Sequence, residues 1–361
     1  MAAALLKEQI NSTLLNAIAA RCRQYYPAFD TAAFLQEFND DFHTLELKQR
    51  INRTARCLYQ TLGLPFGEAC AVLKPVSSHF GGIPGFIFPE VVAQFGLQQP
   101  DIALDALGHF TCFSTSEFAI RPFIQQYPAK TFAQMLIWAE ADNHHLRRLA
   151  SEGCRPRLPW GTALKTLQRD ASPILPILEK LKADASDYVR RSVANNLNDI
   201  SKDQPELVLA LAARWRGHSD NTDWIIKHAL RTLLKKRHSQ ALALFGYQTP
   251  ALQASLSLDS ATVQMGQPLQ FQVQLQSQAP LGKLRLEYAI DFAGKTGKIR
   301  HKVFQLLERT ISEPRLQLQR SYRFVDMTTR KHYPGPHQLH LFINGQPYAS
   351  APFELQPAES S

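Results

Sequence analysis

Three carboxylates stand out because each lies among or beside arginines. Glu152 sits in RRLASEGCRPRLPWG between Arg148 and Arg155, Asp199 follows Asn195 in VRRSVANNLND, and Glu117 follows Ser114 and Thr115 in STSEFAIRPF. Residues four apart share one face of a helix, so Asn195 and Asp199 project to the same side. Trp160 ends the stretch bracketed by Pro156 and Pro159, where an indole can project instead of packing. Acids in a basic region repel a polyanion unless they serve another purpose, and that purpose is to stabilise positive charge. Each residue also has an ordinary explanation. Glu117 fits a capping box with Ser114, Glu152 an ion pair with Arg148, Asp199 a surface pair with Lys202, and Trp160 a place in the core.

The basic surroundings are clustered. From His144 to Arg169, six Lys and Arg face one acid, a net +5. From Arg214 to Arg237, a run that holds Lys227 and Arg231, seven face two, again +5. Arg190 and Arg191 lie between the two runs. If successive repeats present the same face, these residues line one groove and track a phosphate backbone; otherwise they are scattered for solubility. The whole chain, with 40 Lys and Arg against 31 Asp and Glu, carries +9, which permits a polyanionic partner without requiring one.

The elements that must hold these residues fall into two kinds. Before Tyr247 apolar residues recur every three or four positions, as in Ala32, Phe34, Leu35 and Phe38, the mark of amphipathic helices. The stretch from Ser172 to Trp215 reads as a Pro-led helix, an Asp-containing turn and a second helix. Fainter copies occur at 101–127, 131–153 and 204–236. Such pairs bury their apolar faces only by stacking, which predicts a HEAT-like α-solenoid. After Tyr247 the period falls to two: Leu269, Phe271, Val273 and Leu275 alternate with glutamines, and Leu284, Leu286, Tyr288 and Ile290 repeat the pattern. Asn344-Gly345 between apolar runs signals a hairpin. About seven short strands predict an immunoglobulin-like β-sandwich without the antibody-type Cys pair or Trp. The domains are therefore placed at 1–248 and 249–361.

Several functions lose support. No run approaches the roughly 18 apolar residues of a membrane helix, and the start, MAAALLKEQINSTLL, is a poor signal peptide, so a cytoplasmic protein is expected. The five cysteines form no CxxC pair, and none lies near a His at zinc-ligand spacing, so no metal is expected. Gly81, Gly82 and Gly85 read as a tight loop rather than a phosphate cradle, and no cofactor is expected.

The blocks RRLASEGCRPRLPW, YVRRSVANNLNDISKDQPELV and WIIKHALRTLLKK, with STSEFAIRPF and SSHFGGIPGF upstream, resemble the bacterial DNA alkylation repair glycosylases of the AlkC/AlkD type, specifically the AlkC branch. The resemblance covers most of residues 65–246. Some AlkC relatives carry a C-terminal immunoglobulin-like domain, as here. Arg237 departs from the pattern, since Gly is expected to end that helix. The resemblance implies a monofunctional, metal-free glycosylase, a monomer associated with the nucleoid in use, acting on double-stranded DNA that contains alkylated bases. It would release N3-methyladenine or N3-methylcytosine, whose positive charge makes them good leaving groups. Glu152 and Asp199 would be the first catalytic candidates, with Glu117 assisting, and Trp160 would stack on the sugar or base. Arg148, Arg155, Arg190 and Arg191 would clamp phosphates, with Asn195, Lys227 and Arg231 on the same DNA-binding face. The basic sandwich, 12 Lys and Arg against 8 Asp and Glu from Ala251 onward, and its KTGKIRHK segment would touch the same DNA. Two rivals remain: a non-enzymatic repeat scaffold that binds nucleic acid or an acidic protein, and a repeat enzyme acting on a small cofactor.

Overall fold

A computed structural model describes residues 6–38, 40–294, 297–326 and 331–358. It divides into two compact units, the first ending at Leu230 and the second beginning at Arg231.

The first unit is a stack of helices. It opens with α1 (Ser12–Tyr25), α2 (Thr31–Gln36), α3 (Leu47–Leu62), α4 (Phe66–Ser77) and α5 (Ile87–Phe95). Repeating pairs follow: α6 (Pro100–Phe110) with α7 (Arg121–Gln126), and α8 (Pro128–Trp138) with α9 (His144–Glu152). A short α10 (Lys165–Arg169) precedes α11 (Leu175–Leu181) with α12 (Asp187–Ile200), and α13 (Pro205–Trp215) with α14 (Asp220–Ala229). The repeat is visible in the backbone. Gln99, Tyr127 and Gln204 turn the chain with nearly the same angles, φ −132°, −131° and −132°, each just before a helix led by proline. Proline suits that position because it lacks only an N–H that the helix start leaves unpaired, and its fixed φ already matches the helix. Helices α9, α12 and α14 pack side by side in one layer, while α8, α11 and α13 back them. Among the described residues no helix is long and apolar enough to cross a membrane.

The Ser114 capping box does not form. Ser114 donates instead to the carbonyl of Gly82 (2.7 Å), and the α-helix begins only at Arg121, with Pro122 in its first turn. Gly85 explains the glycine-rich loop: a Cβ there would stand 2.5 Å from both Phe80 O and Ser114 Cβ. The loop is tight so that SSHFGGIPGF can press against STSEF.

In the second unit, α15 (Arg231–Lys235) and α16 (Ser239–Leu244) accompany eight strands: β1 (Gln253–Leu258), β2 (Thr262–Gln264), β3 (Pro268–Gln276), β4 (Gly282–Phe292), β5 (Arg300–Ile311), β6 (Arg315–Arg323), β7 (Gly335–Ile343) and β8 (Gln346–Gln356). They form sheets ordered β1-β3-β6 and β2-β8-β7-β4-β5, antiparallel except for β2 with β8. The alternating residues of β3 and β4 face the shared core, where Phe271, Leu286 and Ile290 are fully buried. Asn344 and Gly345 both take positive φ, 48° and 84°, and turn β7 into β8. Gly345 also packs against Leu242 of α16, where a Cβ would meet that side chain at 2.3 Å. Arg237, φ 58°, takes the left-handed conformation usual for a helix-ending glycine and lays its guanidinium over the Phe342 ring. These contacts place the two short helices with the sheets, although their periodicity is that of the solenoid. Lys295 and Thr296 of KTGKIRHK lie outside the described residues; Arg300, His301 and Lys302 begin β5.

Candidate active site

The three acids meet, and the arginines between them are what join them. Arg148 Nη1 donates to Glu117 Oε2 (2.6 Å), and its Nη2 stands 3.7 Å from Glu152 Oε1. The same Glu152 oxygen accepts from Arg155 Nη1 (2.7 Å), Arg155 Nε donates to Asp199 Oδ2 (2.9 Å), and Lys202 donates to Asp199 Oδ1 (3.0 Å). The result is a ladder of alternating sign, Glu117–Arg148–Glu152–Arg155–Asp199–Lys202. It runs from the turn before α7, through α9, to α12 and the turn after it. Apart from Lys202 and the half-buried Arg148, every member is buried, with Asp199 the deepest at 2% exposed.

Burial disfavours a guanidinium's charge, yet the acids on either side outweigh it and hold Arg148 and Arg155 above the usual arginine range. Arg148 also lies 4.5 Å from the centre of the Tyr188 ring. Thr115 organises the upper end: its hydroxyl donates to Glu117 Oε2 and accepts from the Glu117 N–H. Both oxygens of Asp199 are engaged, whereas Glu117 Oε1 and Glu152 Oε2 have no hydrogen-bond partner among the described residues.

Trp160 is 59% exposed, with φ 64°. A bulky residue in the left-handed region is strained and must be held there by its surroundings. Arg121 supplies one clamp, donating to the carbonyls of Gly153 (2.9 Å), Arg155 (2.9 Å) and Thr162 (2.6 Å), so that the loop wraps around a fully buried guanidinium. Burial pushes Arg121 down to about 10. Lys48, from α3, donates to the carbonyl of Trp160 itself.

A family model described as DNA alkylation repair enzyme matches residues 109–233, which include the whole ladder, and one for the C-terminal Ig-like domain of YhaZ matches 253–357. The alkylpurine DNA glycosylase AlkC of Pseudomonas fluorescens, solved bound to DNA containing an abasic site analog, is 38% identical with a TM-score of 0.90, over 97% of this chain and 99% of that one. The chain belongs to the AlkC branch of the DNA alkylation repair enzymes. The uncharacterized protein YhaZ of Bacillus subtilis (strain 168) is 45% identical over 357 residues, 97% of this chain and 99% of that protein.

The structure sorts the arginines expected to clamp phosphates. Arg148 and Arg155 of this AlkC-type chain direct their guanidinium groups to the three acids, Arg148 half-buried and Arg155 buried. Arg190 donates to the carbonyls of Asp184 (2.9 Å) and Ala185 (2.7 Å), as Arg147, at the same place in the preceding pair, does to Ala141 (3.0 Å) and Asp142 (2.7 Å). Both are corner residues of the repeat. Arg191 is different: its side chain is 66% exposed and pairs with Asp187 of its own helix, 2.7 Å away. Arg191, Asn195 and Asp199 lie along one face of α12 at four-residue spacing, and Lys227 is exposed on neighbouring α14. Arg231 belongs to the second unit.

The ordinary explanations fare unevenly. Glu152 does approach Arg148, but more closely Arg155; Asp199 does pair with Lys202, but is not a surface acid; Trp160 is not in the core. Sequence reasoning missed Lys48, Thr115, Arg121 and Tyr188. Thr115 and Arg121 carried a signal in lying inside the STSEFAIRPF block, and Tyr188 in opening YVRRSVANNLNDISKDQPELV; Lys48 carried none. Four cysteines are buried and Cys112 is half-buried; burial pushes the Cys154 thiol, beside Asn196, up to about 12, far from a nucleophile's range.

Proposed function

We propose that this chain is a monofunctional DNA glycosylase that hydrolyses the N-glycosidic bond of cationic N-alkylated bases, N3-methyladenine and N3-methylcytosine, in duplex DNA. The observation that carries the proposal is the convergence of three carboxylates from three stacked repeats. They lie inside the matched family segment of a chain that resembles a DNA-bound AlkC along nearly its whole length. An alkylated base already carries positive charge. Heterolysis of the C1′–N bond returns the bonding pair to the ring, so the base leaves neutral and the charge passes to the sugar. The oxocarbenium-like centre is then what needs stabilising, and water adds to C1′ while a carboxylate or solvent takes its proton.

Glu152 stands at the middle of the ladder, and Glu117 is the most exposed of the acids, with its side chain 11% exposed against 7% for Glu152. Their unpaired oxygens, Glu152 Oε2 and Glu117 Oε1, are the ones available to a developing cation. Asp199 holds Arg155 and through it orients Glu152. Trp160 supplies an exposed π face for the sugar or cationic base. Arg191, Asn195 and Lys227 supply the polar face for the phosphate backbone.

Release of free base from methylated duplex DNA by the purified chain tests the reading. Methylated adenine or cytosine should accumulate with enzyme and time. Salt-dependent DNA binding without any released base would refute it in favour of a non-enzymatic scaffold.

A further inference from the structure

Arg148 and Arg191 hold the same place in successive repeats. Each directly follows a corner arginine, Arg147 on α9 or Arg190 on α12, and the two helices pack side by side. Their side chains nevertheless end in different surroundings, 16% exposed for Arg148 and 66% for Arg191. Arg191 pairs with Asp187 on its own helix, and an exposed pair of that kind holds an arginine only loosely. Arg148 instead reaches across to the turn before α7, where its Nη1 donates to Glu117 Oε2 (2.6 Å) and to the Thr115 hydroxyl (3.2 Å).

The next helix in the layer differs between the two. Tyr188, the second residue after the N-cap Ser186 of α12, brings its ring centre to 4.5 Å from the Arg148 guanidinium. That ring is held in turn by His144 and His145 at the start of α9, which meet it nearly edge-on at 6.1 Å and 82° and at 5.9 Å and 74°. In α14 the corresponding place, second after the N-cap Ser219, belongs to Asn221, which has no ring and donates to the carbonyl of Asp184 (3.4 Å). The arginine that faces a tyrosine is drawn in, and the one that faces an asparagine extends into solvent. A guanidinium lies against an aromatic ring while its N–H groups still bond a carboxylate, so the two engagements support each other. A phosphate takes the same N–H groups and therefore competes with Glu117. Swinging out to reach it forfeits the contact with the ring.

We propose that Tyr188 is a positioning residue that keeps Arg148 on the carboxylates of the ladder when a phosphate backbone arrives. Its effect on excision rests on the glycosylase reading; the choice of Arg148 between carboxylate and phosphate does not. Tyr188 acts across a repeat boundary, from α12 onto a side chain of α9, and through Arg148 it reaches both Glu117 and Glu152.

The test measures binding of the full chain to a methylated duplex across a salt series, together with single-turnover base release at saturating DNA. Tyr188→Leu removes the ring and lets Arg148 add one phosphate contact. The slope of log affinity against log salt should then steepen by about 0.9, while base release falls at least fivefold. Tyr188→Phe keeps the ring and should match wild type in both. In an Arg148→Gln background, Tyr188→Leu should leave the slope where it was, because the arginine that would reach the phosphate is gone. Should Tyr188→Leu not fold, Tyr188→Asn installs the side chain that α14 carries at this place and allows the same comparison. A folded variant without the ring whose slope equals that of wild type overturns the assignment. So does a weaker affinity with base release restored at saturating DNA, which would make Tyr188 itself a DNA contact. A wild type that releases no base refutes the glycosylase reading alone, since the salt slopes still decide where Arg148 goes.

Discussion

Replacing Glu152 with Gln removes one charge at the centre of the ladder while keeping the side chain's shape. A unit charge about 4 Å from a developing cation, at an effective dielectric near 20, is worth about 4 kcal/mol. At 1.36 kcal/mol per decade that is roughly a thousandfold in rate. Glu117 and Asp199 remain, so excision should fall about 100- to 1,000-fold. Losing one partner of a buried ion pair costs about 3–5 kcal/mol when the other is left alone. Here Arg148 keeps Glu117 and Arg155 keeps Asp199, at 2.6 and 2.9 Å, and the Gln carbonyl can still accept from Arg155. The cost in stability should therefore be smaller, about 1–3 kcal/mol. DNA affinity should be unchanged or tighter, because a negative charge near the phosphates is gone. The assay is single-turnover base release, with DNA affinity at fixed salt and a thermal melt to show that the variant is folded. A folded Glu152→Gln that excises within about threefold of wild type would refute the role of the central carboxylate.

Three further variants probe separate parts of the structure. The left-handed conformation of Trp160 costs roughly 1–2 kcal/mol for a residue with a Cβ, so Trp160→Gly should be more stable than Trp160→Ala by about 1 kcal/mol in chemical denaturation, while both lose excision; equal stability would show that the loop carries no such strain. Arg191→Gln should reduce the slope of log affinity against log salt by about 0.9, whereas Arg190→Gln should leave that slope unchanged and lower the melting temperature. On β4 of the sandwich, Asp291 accepts from His301 Nδ1 (2.6 Å) and His340 Nε2 (2.9 Å). Burial alone would raise that carboxyl, but the two imidazoles hold it below its ordinary 3.8. A depressed carboxyl contributes stability above its unfolded value and loses it as pH falls through the folded one. Wild type should therefore be more stable than Asp291→Asn at about pH 6, with the advantage vanishing by about pH 2 in acid-unfolding curves.

Much of this architecture was legible because its signals are local. Period-two alternation on β3 and β4 identified the core face of the sandwich, and Asn344-Gly345 identified its hairpin, since side-chain direction and turn geometry follow from near neighbours. The helix pairs were legible for the same reason. What failed depended on distance. Ser114 and Glu117 have capping-box spacing, but the hydroxyl was claimed by Gly82, 32 residues away; Pro122 marked the true helix start. The pairing of Arg155 with Asp199, 44 residues on, gave no local sign. The carbonyl contacts of Arg190 were legible only by comparison with Arg147 at the corresponding place in the preceding pair. Helical periodicity also could not tell that α15 and α16 go with the sheets, because periodicity reports what a segment is and not what it packs on.

The ladder has a mechanical side. Its acids stand on three different repeats, and no repeat by itself holds a working set. The spacing between Glu117, Glu152 and Asp199 is set by how α9 and α12 are stacked, with Arg148 and Arg155 as the rungs. A solenoid flexes by small rotations between neighbouring repeats, and here each such rotation stretches or shortens a rung. Whatever bends the stack therefore tunes the electrostatics at its centre, and a ligand long enough to lie across several repeats grips both ends of that spring at once.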